Sequence, residues 1–399
     1  MQKEIQKKAV KFCIVNDSEV ILFDNDRLPQ IISLNKIETK YNVTANEPIN
    51  LKNGLSFQEF MFNEPIYIHS INKQTNKIGL NKIRSILHYK NLNNMYKVRP
   101  YLLNSFSICQ KNSLFDTNLN QIDLQINNIN SNNLIKHNKY YGKKIGEVNN
   151  MELDMNTGYL MGQWYSRGFI DKSRKGNNYF TWVSISEENS QKLLKIINHS
   201  FKCNTLHISK KDDELFEYVQ IVDNHINEEL NDAFISNKNL NDWIYSAPYS
   251  FINGLIYGIF FTNGTFSFNK DQTKAYITIK FLNHSLAERF THLLNLRYNV
   301  QGTMSLVPDK KYCKVSYRLN KSFLKIIENG FEYGYIFNKY KEELLKQVKD
   351  VIKLDDYNNS DFSEHQFKLE KTSLNEGFNF RIIGSKGFSL LNGVLIPSL

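Results

Sequence analysis

No part of this 399-residue chain carries the run of about 20 apolar side chains that spans a bilayer. The opening residues, Met1-Gln2-Lys3-Glu4-Ile5, are charged and have no apolar stretch, which argues against a secretory leader. A soluble, intracellular protein is expected (cytoplasmic, nuclear or virus-associated), with no membrane partner. Cysteine is scarce: Cys13, Cys109, Cys203 and Cys313 lie far apart and form no CxxC, so neither a zinc site nor a disulfide framework is supported. No phosphate-cradling Walker loop or dinucleotide-binding glycine fingerprint is present. His284 and His292 stand eight apart, near enough to share a helix face, but no third ligand is placed beside them. They read as surface or half-buried helix residues.

Core material is plentiful. Phe 27, Tyr 22 and Trp 3 make up 13% of the chain, which excludes wholesale disorder. Lys and Arg number 50 against 40 acids, a formal net charge of +10. Such an excess suits a polyanionic partner, nucleic acid first, because neutralising phosphates releases counterions. An AT-rich coding sequence, which inflates Lys, Asn and Ile, would leave the same excess.

Three zones follow one another. Up to about residue 116 the chain reads as short strands: Lys11–Val15, Glu19–Phe23, Ile31–Leu34 and Pro65–Ile68, with Asp24-Asn25-Asp26 as a turn. An Asn-rich stretch, residues 127–133, reads as a solvated linker. Helical and strand periods then alternate from about 146 to 345. From about 370 short strands return, Phe378–Ile383 and Phe388–Leu391, with Asn392-Gly393 as a hairpin signal. A β domain interrupted by an α/β insertion would give this order.

Within the middle zone the chain repeats itself. Gly158, Gly162 and Gly168 recur as Gly254, Gly258 and Gly264, all offset by 96 positions. With 18 glycines in the chain, chance produces such a trio in roughly one register in 10⁴. Each trio is set in apolar sequence and is followed by a strand pattern (Trp182–Ile185, Tyr276–Ile279) and then an amphipathic helix (Asn189–Ile197, Ser285–Leu296). Glycines four apart share a helix face and let two backbones approach closely. The third glycine suits a helix C-cap with positive φ. Two such helices would form the axis of a pseudo-twofold repeat. Trp164, Phe260 and Phe261 read as core residues of these helices.

Both glycine segments resemble the LAGLIDADG motif of homing endonucleases, in particular the forms carried inside inteins. Tyr245-Ser246-Ala247-Pro248-Tyr249 resembles the lead-in to the second motif, and the resemblance spans about 200 residues. It implies paired halves whose strands form a saddle in the DNA major groove. It also implies an acid before the last glycine of each motif, holding the divalent metals that activate water for phosphodiester cleavage. Here those positions are Arg167 and Asn263. Arginine repels a divalent cation, and asparagine offers one neutral oxygen. Asp171 and Asp271 are the nearest substitutes, and both read as turn or surface residues. Lys314 resembles the strand lysine that these enzymes keep near the active centre, or is simply an exposed strand lysine.

The flanking zones resemble the intein splicing (Hint) domain. Cys13-Ile14-Val15 resembles its N-terminal block, and Phe388 to Ser398 its C-terminal block. A thiol at Cys13 could attack the preceding carbonyl. Yet only twelve residues precede it, Pro397-Ser398 replaces the expected His-Asn, and Arg99-Pro100-Tyr101-Leu102 lacks the Thr and His of the internal block. Cys13 reads better as a small buried strand residue.

The expected fold is therefore α+β: a pseudo-twofold LAGLIDADG-type αβ repeat (146–349) inserted in an all-β Hint-like domain (1–140 and 350–399). The expected function is binding of double-stranded DNA by an intein-type homing-endonuclease relative inactive in cleavage and splicing. Lys172, Arg174, Lys175, Lys270, Lys274 and Lys280 would meet phosphates or bases. No cofactor is expected. Two alternatives stay open: an Mg²⁺-dependent endonuclease using Asp171, and an assembly subunit of a viral or nucleoprotein complex, with a protein partner.

Overall fold

The computed structural model describes residues 14–15, 18–50, 54–92, 95–100, 106–109, 113–115, 119, 121–123, 133–137, 139–172, 178–184, 186–202, 206–210, 216–223, 225–228, 230, 239–272, 274–306, 312–351, 362–373, 376–391 and 394–398. Its contacts divide the chain into two compact units. One contains Met1–Lys143, His292–Asn299 and Asn358–Leu399; the other contains Lys144–Thr291 and Val300–Tyr357.

The first unit is antiparallel β, and both ends of the chain build it. Ile14 pairs with Ile108 on one side and Phe378 on the other, which sets an N-terminal strand beside a C-terminal one. Strand Gly377–Ile382 pairs in turn with Ile78–Lys90, and Phe362–Thr372 pairs with Met95–Pro100. The Asp24 turn joins Glu19–Phe23 to Pro29–Ser33, with Asp24 Oδ1 accepting from Leu28 N at 2.8 Å. Alternating apolar residues from these strands, among them Val20, Leu22, Ile32, Ile86, Phe378, Phe380 and Phe388, meet in one buried cluster. Several of these strands are buried on both faces, Ile21 and Phe23 lying between and beside Val20 and Leu22. Ser385–Ser389 and Leu395–Pro397 form the last hairpin, whose tip at Asn392-Gly393 lies outside the described residues. So does the Asn-rich stretch apart from Asn133, which begins strand Asn133–His137.

The second unit is the repeat. In its first half, helix α1 (Met155–Arg167) is followed by strands β1 (Phe169–Lys172) and β2 (Asn178–Ser184), helix α2 (Glu187–Phe201), and strands β3 (Leu206–Lys210) and β4 (Glu217–Ile221). The second half runs α3 (Tyr249–Asn263), β5 (Gly264–Phe268), β6 (Ala275–Phe281), α4 (His284–Tyr298, of which the residues up to Thr291 belong to this unit), β7 (Gly302–Leu306) and β8 (Cys313–Arg318). The sheet orders are β1-β2-β4-β3 and β5-β6-β8-β7, the same topology twice. Helices α5 (Lys321–Glu332) and α6 (Lys339–Val351) complete the unit.

Helix α1 starts at a capping box. Asp154 Oδ1 accepts from Thr157 N at 2.8 Å, and Thr157 Oγ1 accepts from Asp154 N at 3.1 Å. Helices α1 and α3 then touch backbone to backbone. A Cβ on Gly158 would lie 2.0 Å from Phe251 O, and one on Gly254 2.0 Å from Met155 O. One on Gly162 would lie 2.3 Å from Leu255 O, and one on Gly258 2.3 Å from Tyr159 O. These contacts are reciprocal at the offset of the repeat, so the helix pair has pseudo-twofold symmetry.

The third glycines differ from expectation. Gly168 (φ −73°) and Gly264 (φ −92°) do cap the helices, but with extended backbone that any residue can adopt. Crowding requires them instead. A Cβ would lie 2.1 Å from Trp164 Cδ1 and 2.3 Å from Phe260 Cδ2, where the aromatic ring four residues back folds over the helix end. Trp164, Phe260 and Phe261 are core residues, and His292 is buried rather than on the surface.

Candidate functional site

The two helix ends meet where the sheets begin, since each C-cap glycine leads directly into an edge strand. Arg167 and Asn263, the last residues of α1 and α3, are hydrogen-bonded to each other across the axis: Arg167 Nε donates to Asn263 Oδ1 at 3.3 Å. Asn263 Nδ2 donates back to Ser166 O at 3.3 Å. Ser166 and Thr262, again equivalent, fold their hydroxyls onto Gly162 O and Gly258 O within their own helices. Burial lowers the Arg167 pKa, and its guanidinium lies 5.7 Å from the Phe216 ring.

A third group completes this centre. Lys341 of α6 is buried, and its Nζ donates to Phe260 O and Phe261 O, both at 2.7 Å. Those carbonyls belong to the last turn of α3, where Phe260 O also accepts from the Gly264 cap N–H and Lys341 adds a donor from outside the helix. Burial, with Arg167 nearby as a second cation, brings the Lys341 ammonium down to about 7. Among the described residues neither Arg167 nor Lys341 has a carboxylate partner. Lys341 had escaped notice in the sequence, although it left a signal: Lys341, Leu345 and Val348 are the buried positions of α6. A lysine in an apolar stripe at helical spacing needs a buried acceptor.

The centre does not fit a divalent metal. Hard cations need several oxygen ligands with carboxylates among them. Here two cationic groups stand at the helix ends, Asn263 Oδ1 accepts from a guanidinium, and the Ser166 and Thr262 hydroxyls are turned onto their own helices. Asp171 is exposed on edge strand β1, and Asp271 lies in an exposed turn of the other half.

The sheets provide the second element of the site. In the second half, Ile277, Ile279, Val315 and Tyr317 are buried against the helices. Alternation puts their neighbours on the opposite, open face. There Lys280 pairs directly with Lys314, Thr278 with Ser316, and Tyr276 with Arg318. Thr303 and Ser305 of β7 continue the face beside Ser316 and Lys314. Hydroxyls bond along it: Ser267 Oγ to Thr278 Oγ1 at 2.8 Å, and Thr278 Oγ1 to Ser316 Oγ at 3.0 Å. No acid lies in these strand positions. The open face of the first half is more aromatic and carries an acid, with Phe169, Thr181, Tyr218 and Gln220 beside Asp171.

The expected DNA-contacting residues thus separate. Lys280 is exposed on the open face, and Lys314 joins it there. Lys270 and Lys274 are exposed at the β5–β6 turn rather than within a strand, because Asn269 Oδ1 accepts from Lys274 N at 2.8 Å and closes that turn. Lys172 ends β1, opposite Asn178. Arg174, Lys175 and Cys13 lie outside the described residues. Ser398 is buried, its N–H donating to Lys386 O at 3.1 Å. His284 pairs with Glu288 on the surface of α4. Arg318 was missed, although the alternation Lys314-Val315-Ser316-Tyr317-Arg318 places it on the same face.

No family model matches the chain, and no curated protein does. Among solved structures, it is similar to variants of the homing endonuclease I-DmoI, with 14% identity, a TM-score of 0.34, and coverage of 43% of this chain and 88% of that one. A complex of I-DmoI with DNA and Mn matches with 14% identity, a TM-score of 0.33, and coverage of 45% and 96%. Full-length DUF199/WhiA from Thermotoga maritima matches with 14% identity, a TM-score of 0.34, and coverage of 52% and 64%. Scores this low carry no functional weight, so the reading below rests on the chain's own residues.

Proposed function

We propose that this chain binds double-stranded DNA on the open faces of its repeat and does not hydrolyse it. The observation that carries this is the Lys280–Lys314 pair. Like charges directly opposite on neighbouring strands destabilise a sheet. Among the described residues no acid on the face offsets them, and Arg318 lies four residues along the same strand as Lys314. Such a cost is expected where a polyanion is bound.

Duplex DNA fits better than other polyanions. A hydroxyl-lined β surface can enter the 12 Å-wide major groove of B-DNA. The deep, narrow major groove of duplex RNA excludes it. Ser, Thr, Lys and Arg supply the contacts that position a protein on phosphates and read base edges. The cationic helix ends support binding without metal-assisted cleavage.

A finer proposal is descent from an intein-type homing endonuclease, with the β unit as its Hint-like frame. Assembly of that unit from both chain ends, with Ile14 between Ile108 and Phe378, supports it. Ser398 lacks the side-chain amide that would cyclise to release a C-terminal fragment, which supports loss of splicing.

The test is duplex affinity against salt for the wild type and Lys280→Gln/Lys314→Gln. Loss of two phosphate contacts should lower the slope of log K on log salt by about 1.8. A double variant with wild-type affinity and slope would remove the DNA reading.

A further inference from the structure

We propose that the paired helix ends form an anion site, and that Arg167 there takes one phosphate of the DNA backbone. This rests on the DNA-binding reading for its natural ligand, though not for the site itself. The guanidinium has five N–H donors in a planar fork matched to phosphate oxygens. Among the described residues only Nε is engaged, on Asn263 Oδ1. That bond fixes the plane of the fork at the pseudo-twofold axis, where edge strands β1 and β5 both begin. Lys341 adds a second positive charge, and among the described residues no carboxylate compensates either group.

A half-buried, unneutralised pair of cations is costly unless something anionic completes it. Lys341 has a structural reason to be there, since it satisfies two helix-terminal carbonyls. Arg167 has only its single amide contact, the Phe216 ring 5.7 Å away and a favourable position at a helix C-terminus, the last worth a few tenths of a kcal/mol to about 1 kcal/mol. One phosphate oxygen pair presented to the fork would neutralise the centre. A single arginine would then hold the backbone near the axis by direct charge pairing.

Two measurements on the full chain test this, with Arg167→Gln and Arg167→Lys. In the first, thermal unfolding is followed in inorganic phosphate and in chloride at matched ionic strength, without DNA. Phosphate should raise the Tm of the wild type and of Arg167→Lys by more than that of Arg167→Gln, which keeps only the general effect of the anion and the sheet-face lysines. In the second, duplex affinity is measured against salt, with phosphate-ethylation interference. Arg167→Gln should lose about tenfold in affinity and about 0.9 in salt slope. One ethylated phosphate that blocks the wild type should no longer matter to it. Arg167→Gln should fold at least as stably as the wild type, because it keeps an amide beside Asn263 and removes an uncompensated charge.

Equal phosphate shifts in wild type and Arg167→Gln would overturn the site. So would an unchanged interference map. If the wild type binds no duplex while the Arg167-dependent phosphate shift is present, the anion site stands and the DNA reading falls.

Discussion

Gly162→Ala should destabilise this protein although alanine is the better helix former. The propensity gain in a helix interior is about 1 kcal/mol. Against it, the new methyl would sit 2.3 Å from Leu255 O, 3.0 Å from Ile259 N and 3.1 Å from Gly258 Cα. All three are backbone atoms of α3, which cannot swing aside as a side chain would. Ordinary contact begins at 3.4 Å, so the helices must part by about 1 Å. A gap of that size forfeits a quarter to a half of each dispersion contact along the seam. Overpacking of this kind costs about 1–3 kcal/mol, and because the clash is with backbone at 2.3 Å the upper part of that range applies, leaving a net loss of up to about 2 kcal/mol after the propensity gain. Gly258→Ala acts on the same seam from the other side, so the double variant should cost less than the sum of the singles. Gly79→Ala is the control: nothing lies within 4 Å of its Cβ, and it should be neutral or stabilising by up to about 1 kcal/mol. Calorimetry, which can resolve separate transitions for two units, is the assay. Gly162→Ala at or above wild-type stability would refute the close helix contact.

Other expectations follow from the same geometry. Lys280→Gln should raise the stability of the unbound protein by about 0.2–1 kcal/mol by removing a like-charge pair, while weakening duplex binding; chemical denaturation alongside a binding titration reads both. The buried ammonium of Lys341, at about 7, is held well below its unfolded value, so the unfolded chain binds more protons between that pH and about 10. Stability of the repeat should therefore rise with pH across this window, and Lys341→Met should flatten the rise; a steeper rise in the variant would contradict the assignment. Lys192, brought by burial to about 8, contributes in the same direction. Trp182→Phe removes the indole donor to Leu160 O at 2.9 Å and should cost about 1 kcal/mol or slightly more in calorimetry, tying β2 less firmly to α1.

Local pattern disclosed the elements, and long-range pairing did not follow from it. Glu19–Phe23 is a short apolar run bounded by a turn, and the strand has those limits. The helices after each glycine segment begin within two residues of the expected positions, because Ser186 and the run beginning at His284 announce them. The fourfold glycine spacing revealed the helix contact because only glycine permits it. Its third member was misread: extended φ and a folded-back ring, not a left-handed cap, exclude a side chain there. Nothing local to Ile14 states that Ile108 and Phe378 are its neighbours, since sheet register across hundreds of residues is set by tertiary packing. At the site, the offset of 96 identified Arg167 and Asn263 as equivalent, and the structure bonds them to each other. Lys341 could be found only by asking why a lysine stands in an apolar stripe, and its carbonyl partners lie 80 and 81 residues away.

Selection from a randomised duplex pool at two salt concentrations, followed by Mg²⁺ in the same mixture, tests the central claim most directly. Enrichment of one extended site, with the recovered duplexes intact after Mg²⁺, is the predicted result. Cut duplexes would contradict the reading of the helix ends as a cationic centre closed to metal. Sequence-blind binding that vanishes at the higher salt would contradict the reading of the sheet faces as a DNA-recognition surface.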